Sequence, residues 1–319
     1  MKRFFDRIEH FPISFFSVVM GLAGFSIATE RMEIILSRPL GSDIAAFFAL
    51  DTFIVLSACY GIKLFLFPGR VRAEFDHPVR LHFFPSFSIS LLLLAIAFMG
   101  ISTTVSTIFW SIGTPLHLIF TFAVISIWIR NTNFHPEHLN PSWFIPVVGN
   151  ILVPVAGVHI LPGSYLWFFF SIGILFWLML VTLLLNRTIF FKAMPEKLVP
   201  TFFIMIAPPS VGVISYILLT DSTDPFAYTL YFFALFLALL FFVNAPMFTK
   251  VRFALSWWAY SFPLAALTVS SAMLFIRTEE DYFRSLALIL FAILAIVVGV
   301  LLARTAVCVR RRGICTEED

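Results

Sequence analysis

Ten membrane-spanning helices, paired as five successive hairpins, make up the all-α polytopic membrane fold that this sequence predicts. Three observations carry the prediction: an apolar composition, charge that alternates between successive connections, and prolines that recur at hairpin length. Of 319 residues, 60% are hydrophobic and only 12% charged, with a mean hydropathy of +0.98. A water-soluble domain is about 25% charged, so this chain is not a solvated globule. No polar half divides it, which predicts one transmembrane domain over residues 1–319. Met1 to His10 mix basic and acidic side chains and lack the basic, apolar and small-residue regions of a cleaved signal peptide. The three cysteines, Cys59, Cys308 and Cys315, form no CxxC pair and argue against a disulfide framework or a metal site.

A hydrocarbon core about 30 Å thick takes about 20 apolar residues per helix, because lipid offers backbone polar groups no partner outside a helix or a closed barrel. The apolar runs are unbroken rather than alternating, which selects helices. Charge clusters and turn residues delimit segments 12–29, 43–67, 83–100, 104–129, 143–160, 164–186, 200–219, 225–245, 253–276 and 283–305. An even number puts both ends on one side, with a short N-terminus of about residues 1–11 and a tail of about 306–319. Lys and Arg in short connections are retained in the cytoplasm. With both termini inside, 17 of the 21 basic residues are cytoplasmic and four, Arg31, Arg38, Arg277 and Arg284, lie outside. Acidic residues such as Glu30, Glu33, Asp221 and Asp224 follow the opposite bias.

Proline inside a helix removes a hydrogen bond, costs about 3 kcal/mol or more and bends the helix. Pro12, Pro85, Pro146, Pro208 and Pro263, one per odd-numbered segment, are 73, 61, 62 and 55 residues apart. Each interval is the length of a two-helix hairpin. The odd segments also hold most of the serines, whereas the even ones are Leu, Phe and Ile nearly all round, as lipid-facing helices are. Bent, hydroxyl-bearing helices are tolerated at membrane depth where protein or water satisfies their backbone. The expected arrangement is an inner ring of kinked odd helices around a pore and an outer ring of even helices. Ser14, Ser17, Ser86, Ser88, Asn150, Ser210 and Ser261 are the pore-lining candidates. The alternative is that the same serines and prolines mediate tight helix packing.

The odd segments carry no Asp, Glu, Lys or Arg in their central turns. Asp51 reads as the one clearly buried carboxylate, either a proton-relay group or an acid held neutral between helices. His117 reads as a packing residue. His135 and His138 flank Glu137, but Pro136 interrupts their spacing and favours a solvated connector over a metal site. HExxH, GxSxG and phosphate-loop patterns are missing, so no catalytic residue, metal, cofactor or nucleic-acid module is expected. An uncharged, hydroxyl-spotted interior suits large monovalent anions that shed water readily, and equally admits a neutral solute.

The run Leu255-Ser256-Trp257-Trp258-Ala259-Tyr260-Ser261-Phe262-Pro263-Leu264 closely resembles a motif of the slow-type anion channel and TehA tellurite-resistance family. Phe11-Pro12 through Leu22, Asp76 to Arg80, Pro141 to Pro146 and Ala207 to Ser210 also resemble bacterial members. The resemblance narrows the solute to anions and, taken with the uncharged interior, leads to the expectation of a channel that passively conducts small monovalent anions such as chloride and nitrate across a bacterial inner membrane. It implies a homotrimer with one pore per protomer, closed by a phenylalanine on the ninth helix that Phe262 matches, with Pro263 as hinge. The family also contains malate and sulfite permeases, so a carrier for C4-dicarboxylate, sulfite or tellurite-related anions is the alternative. Long phosphorylated termini, as in plant relatives, are not expected. Independently of the family, Phe262 lies about 14 Å along its segment by helical rise, near mid-membrane. A bulky ring there can close a narrow pore by steric block and dewetting, although most of the 41 phenylalanines must simply pack.

Overall fold

Every apolar run long enough to cross a bilayer is helical in the computed structural model, which describes residues 7–131, 134–311 and 315. Ten spans are present among the described residues: Ile13–Leu36, Ser42–Leu66, Arg80–Ala97, Thr103–Arg130, Pro141–Ile160, Leu166–Phe190, Glu196–Thr220, Pro225–Val243, Leu255–Thr278 and Asp281–Arg310. Each corresponds to one expected segment. The largest shifts are at the ends of the first and last, which run on to Leu36 and Arg310. Charged turns are compatible with a helix that continues into the headgroup layer, so charge marks the edge of the hydrocarbon rather than the end of the helix. Residues 1–6, 312–314 and 316–319 of the expected termini lie outside the described residues, as do 132 and 133.

Odd and even spans differ in backbone. The even spans are uninterrupted α-helices, with Pro115 inside the fourth. The odd spans begin as 3-10 helix and continue as α-helix: Ile13–Phe15 into Phe16–Leu36, Arg80–Phe83 before Pro85–Ala97, Glu196–Ile206 into Ala207–Thr220, and Leu255–Tyr260 into Ser261–Thr278. The fifth alternates, with 3-10 turns at Pro141–Trp143 and Gly149–Leu152. Pro85, Pro154 and Pro208 occupy the first turn of their α-helical sections, and Pro263 is the third residue of its own. A first-turn amide has no intrahelical acceptor, so proline costs little there while barring the bond that would extend the α-helix backward. The kinked helices expected from the sequence are therefore helices of two kinds joined near proline.

The odd spans are 67–83% buried and the even ones 17–44%. Each odd span packs against the even span that follows it; the first also touches the third and ninth, the fifth touches the third and seventh, and the seventh touches the ninth. First and ninth spans approach through glycine: a Cβ on Gly21 would overlap the Ser261 hydroxyl and crowd Trp258, and one on Gly24 would press on Phe262 and Ala265. Gly21→Val should accordingly destabilise the protein by about 1–3 kcal/mol, the usual cost of overpacking. Thermal unfolding in detergent checks this, and an unchanged midpoint would show that the seam has slack.

Asp51 departs from expectation. It is exposed, on the second span, which is only 17% buried, and it has no hydrogen-bond or ion-pair partner among the described residues. Sequence position fixed its depth along the helix but not the direction it faces. Among the described residues the buried carboxylate is Glu74, on the short helix Pro68–Phe75 between the second and third spans. Its Oε2 accepts from Lys63 Nζ at 2.7 Å and from the Tyr60 hydroxyl at 3.1 Å, and its Oε1 accepts from the Ile13 amide at 2.8 Å. Lys63 Nζ also donates to the Phe11 carbonyl at 2.8 Å. This knot ties the connection to the start of the first span. His117 is fully buried, with Nδ1 2.9 Å from Ser88 Oγ. His135 is exposed and His138 half-buried, and their short contact is a backbone cap, the His135 amide donating to His138 Nδ1 at 3.3 Å.

Candidate conduction pathway

Side chains that face the interior of a bundle recur every three or four residues, and the odd spans show how this chain uses that rule. In the 3-10 section of the seventh span, three residues per turn put Leu198, Thr201, Ile204 and Ala207 in one line, and the α-helix carries it on through Val211, Ile214 and Leu218. The first span presents Ser14, Ser17, Met20, Gly24, Ile27 and Arg31 in the same way.

Between these stripes lie two cavities, of about 360 Å³ and about 50 Å³. No residue of an even-numbered span lines either one. Leu152, Val211 and Phe262, from the fifth, seventh and ninth spans, line both. These three side chains therefore form the partition between the cavities. Leu152 and Val211 are each 5% exposed, and the Phe262 ring lies where Gly24 leaves room for it.

The larger cavity is lined by Ser14, Ser17 and Ser86, together with Thr201, Ser256 and Pro263. Ser17 Oγ donates to the Ser14 carbonyl at 2.7 Å, and Ser86 Oγ to the Phe83 carbonyl. Ser88, Asn150, Ser210 and Ser261 line neither cavity. Ser88 is turned toward His117; Asn150 Nδ2 donates to Thr121 Oγ1 at 2.9 Å; Ser210 Oγ donates to the Ile206 carbonyl at 2.8 Å; Ser261 Oγ donates to the Trp258 carbonyl at 2.6 Å. These four lie off the cavity stripe, with Ser88 and Asn150 bonded to the fourth span and Ser210 and Ser261 to carbonyls of their own spans. Leu152 and Val211 are aliphatic and carry no polar signal in the sequence. Stepping three and four residues from Ser14 reaches Gly24 and Arg31, and that periodicity was the available signal.

Charge is confined to the ends of the pathway. Arg80 and Lys197 line the larger cavity with His77 and Glu74, and Arg31 lines the smaller one with His159. The Glu74 carboxylate is balanced by Lys63. His77 Nδ1 accepts from the backbone amides of Val79 at 3.1 Å and Arg80 at 3.3 Å. Burial, and then the charges of Arg80 and His138, hold the His77 pKa below the ordinary histidine value, so its imidazole is neutral at neutral pH. The fixed cations there are Arg80 and Lys197, while the partition carries no ionisable group. Among the described residues no cluster of three or more His, Cys, Asp or Glu is arranged to hold a metal ion.

The family described as voltage-dependent anion channel, of the SLAC1 type, matches residues 10–306. An uncharacterized transporter of Methanocaldococcus jannaschii is 26% identical over 85% of this chain and 85% of its own length. The S-type anion channel SLAH3 of Arabidopsis thaliana is 28% identical over 93% of this chain, which spans only 48% of the plant protein. A tellurite resistance protein TehA homolog of Haemophilus influenzae is 24% identical over 92% of this chain and 89% of its own length.

Proposed function

The chain belongs to the voltage-dependent anion channel family, and from that premise we propose that it conducts small monovalent anions such as chloride and nitrate passively through a pore between its odd-numbered spans, gated by Phe262. It is a multi-pass membrane protein of a channel and transporter family, not an enzyme. The observation that carries the reading is the meeting of the two cavities at Phe262, Leu152 and Val211. A pathway interrupted at one apolar layer is closed by a small plug and opens with a small movement. Pro263 lines the larger cavity beside the gate and, in the first turn of its helix, bars the bond that would extend the α-helix backward into the 3-10 section, and that junction suits a hinge.

The contacts among odd spans run first to third, third to fifth, fifth to seventh, seventh to ninth and ninth to first, which supports a closed inner ring with the even spans outside it. Self-association, with the homotrimer as its proposed form, is supported by the exposure of Asp51. An acid about nine residues into a membrane helix costs about 2.5–3.5 kcal/mol when it faces lipid, and a second protomer against the second span would cover it. The bias of 17 to 4 in basic residues supports an inner-membrane orientation with both termini cytoplasmic. In that orientation the inside-negative potential drives anions outward.

An uncharged constriction passes anions in order of their dehydration cost. Permeability from bi-ionic reversal potentials should rank iodide and nitrate above chloride, and fluoride last. A fluoride-first order would contradict an uncharged constriction, and a strong preference for a divalent anion would favour the alternative, a carrier for C4-dicarboxylate, sulfite or tellurite-related anions.

A further inference from the structure

The smaller cavity carries an inference that rests on the channel reading and extends it. Its wall is apolar except for Arg31 and His159. Arg31 lies seven residues beyond Gly24 on the first span, about 10 Å farther along the helix from the seat of the Phe262 ring. Arg31 Nε is buried and has no hydrogen-bond partner. No ion pair engages its guanidinium among the described residues.

Two neighbouring charges are committed elsewhere. Arg277, at the same end of the bundle, pairs with Asp221 at 2.7 Å. Glu33, two residues from Arg31, accepts the backbone amides of Leu40, Gly41 and Ser42 on Oε1 and the Ser42 hydroxyl on Oε2. Arg31 is thus a cation lining a cavity without a carboxylate to satisfy it. A guanidinium presents a planar fork of donors that matches an oxyanion, and Arg31, half-buried, has its buried Nε donor unpaired. We infer that Arg31 binds one small monovalent anion in the cavity on the far side of the constriction from Arg80 and Lys197, where an ion pauses between bulk water and the gate. The volume of about 50 Å³ suits an inorganic ion rather than an organic dianion.

Two measurements test this. Nitrate titrated into purified protein at constant ionic strength, with gluconate as the replaced anion, should raise its unfolding temperature in a saturable way. Arg31→Gln should raise the half-saturating nitrate concentration about tenfold, and Arg31→Lys less, because it keeps the charge but loses the fork. An unchanged half-saturation in Arg31→Gln overturns the site. In planar bilayers, Arg31→Gln placed in a Phe262→Ala background should lower conductance several-fold when salt is dilute on the Arg31 side alone, and the loss should vanish near 1 M salt, where screening acts within about 3 Å. A loss equal from both sides and at every salt concentration marks a structural residue and also overturns the site. Nitrate binding that depends on Arg31 in a protein whose Phe262→Ala form passes no anion current retains the site and refutes the channel reading instead.

Discussion

Phe262→Ala should raise anion conductance at least about tenfold over the parent, which corresponds to removing about 1.4 kcal/mol or more from the barrier. The ring is the largest of the three side chains that separate the cavities. Truncating it leaves Leu152 and Val211, whose branched side chains span less of the gap. The fold should tolerate the change, because Phe262 is only partly buried and faces cavities on two sides. Single-channel recording of the purified variant checks the effect. A variant that folds yet conducts no better than the parent would make Phe262 a packing residue and move the closure elsewhere.

Glu74→Ala should cost about 3–5 kcal/mol of stability, the usual penalty for leaving one member of a buried ion pair alone. Lys63 and Glu74 side chains are 5% and 4% exposed and 2.7 Å apart, so the ammonium left behind keeps only the Phe11 carbonyl as an acceptor. The Ile13 amide and the Tyr60 hydroxyl lose their acceptor as well. Against a total stability of about 5–15 kcal/mol, the loss is large enough to show as poor recovery of folded protein. Glu74→Gln, whose single amide oxygen can still accept from either the Ile13 amide or the Tyr60 hydroxyl, should lose less. Thermal unfolding of both variants in detergent tests this, and equal midpoints for Glu74→Ala and the parent would mean that water reaches the pair.

The number of spans and the contrast between odd and even helices were legible in the sequence because hydropathy, proline and charge each act locally and repeat five times. What could not be read was the direction a residue faces. Asp51 and Glu74 illustrate this: the first sits deep in a helix yet is exposed, and the second sits in a charged connection yet is buried by Lys63 and the start of the first span. The serines divide for the same reason. Ser86 and Ser88 are two residues apart on one helix, so one lines the cavity and the other is turned toward His117. The switch from 3-10 to α-helix was visible only as a bend, because proline marks where an α-helix begins without showing what precedes it.

The most direct test of the account is the reversal potential of Phe262→Ala in a planar bilayer under a potassium chloride gradient, with no pH gradient across it. A passive anion pore gives a current that reverses close to the chloride equilibrium potential and shifts when nitrate replaces chloride on one side. A reversal near the potassium potential, or a flux that appears only when a proton gradient is imposed, would contradict a passive anion pore.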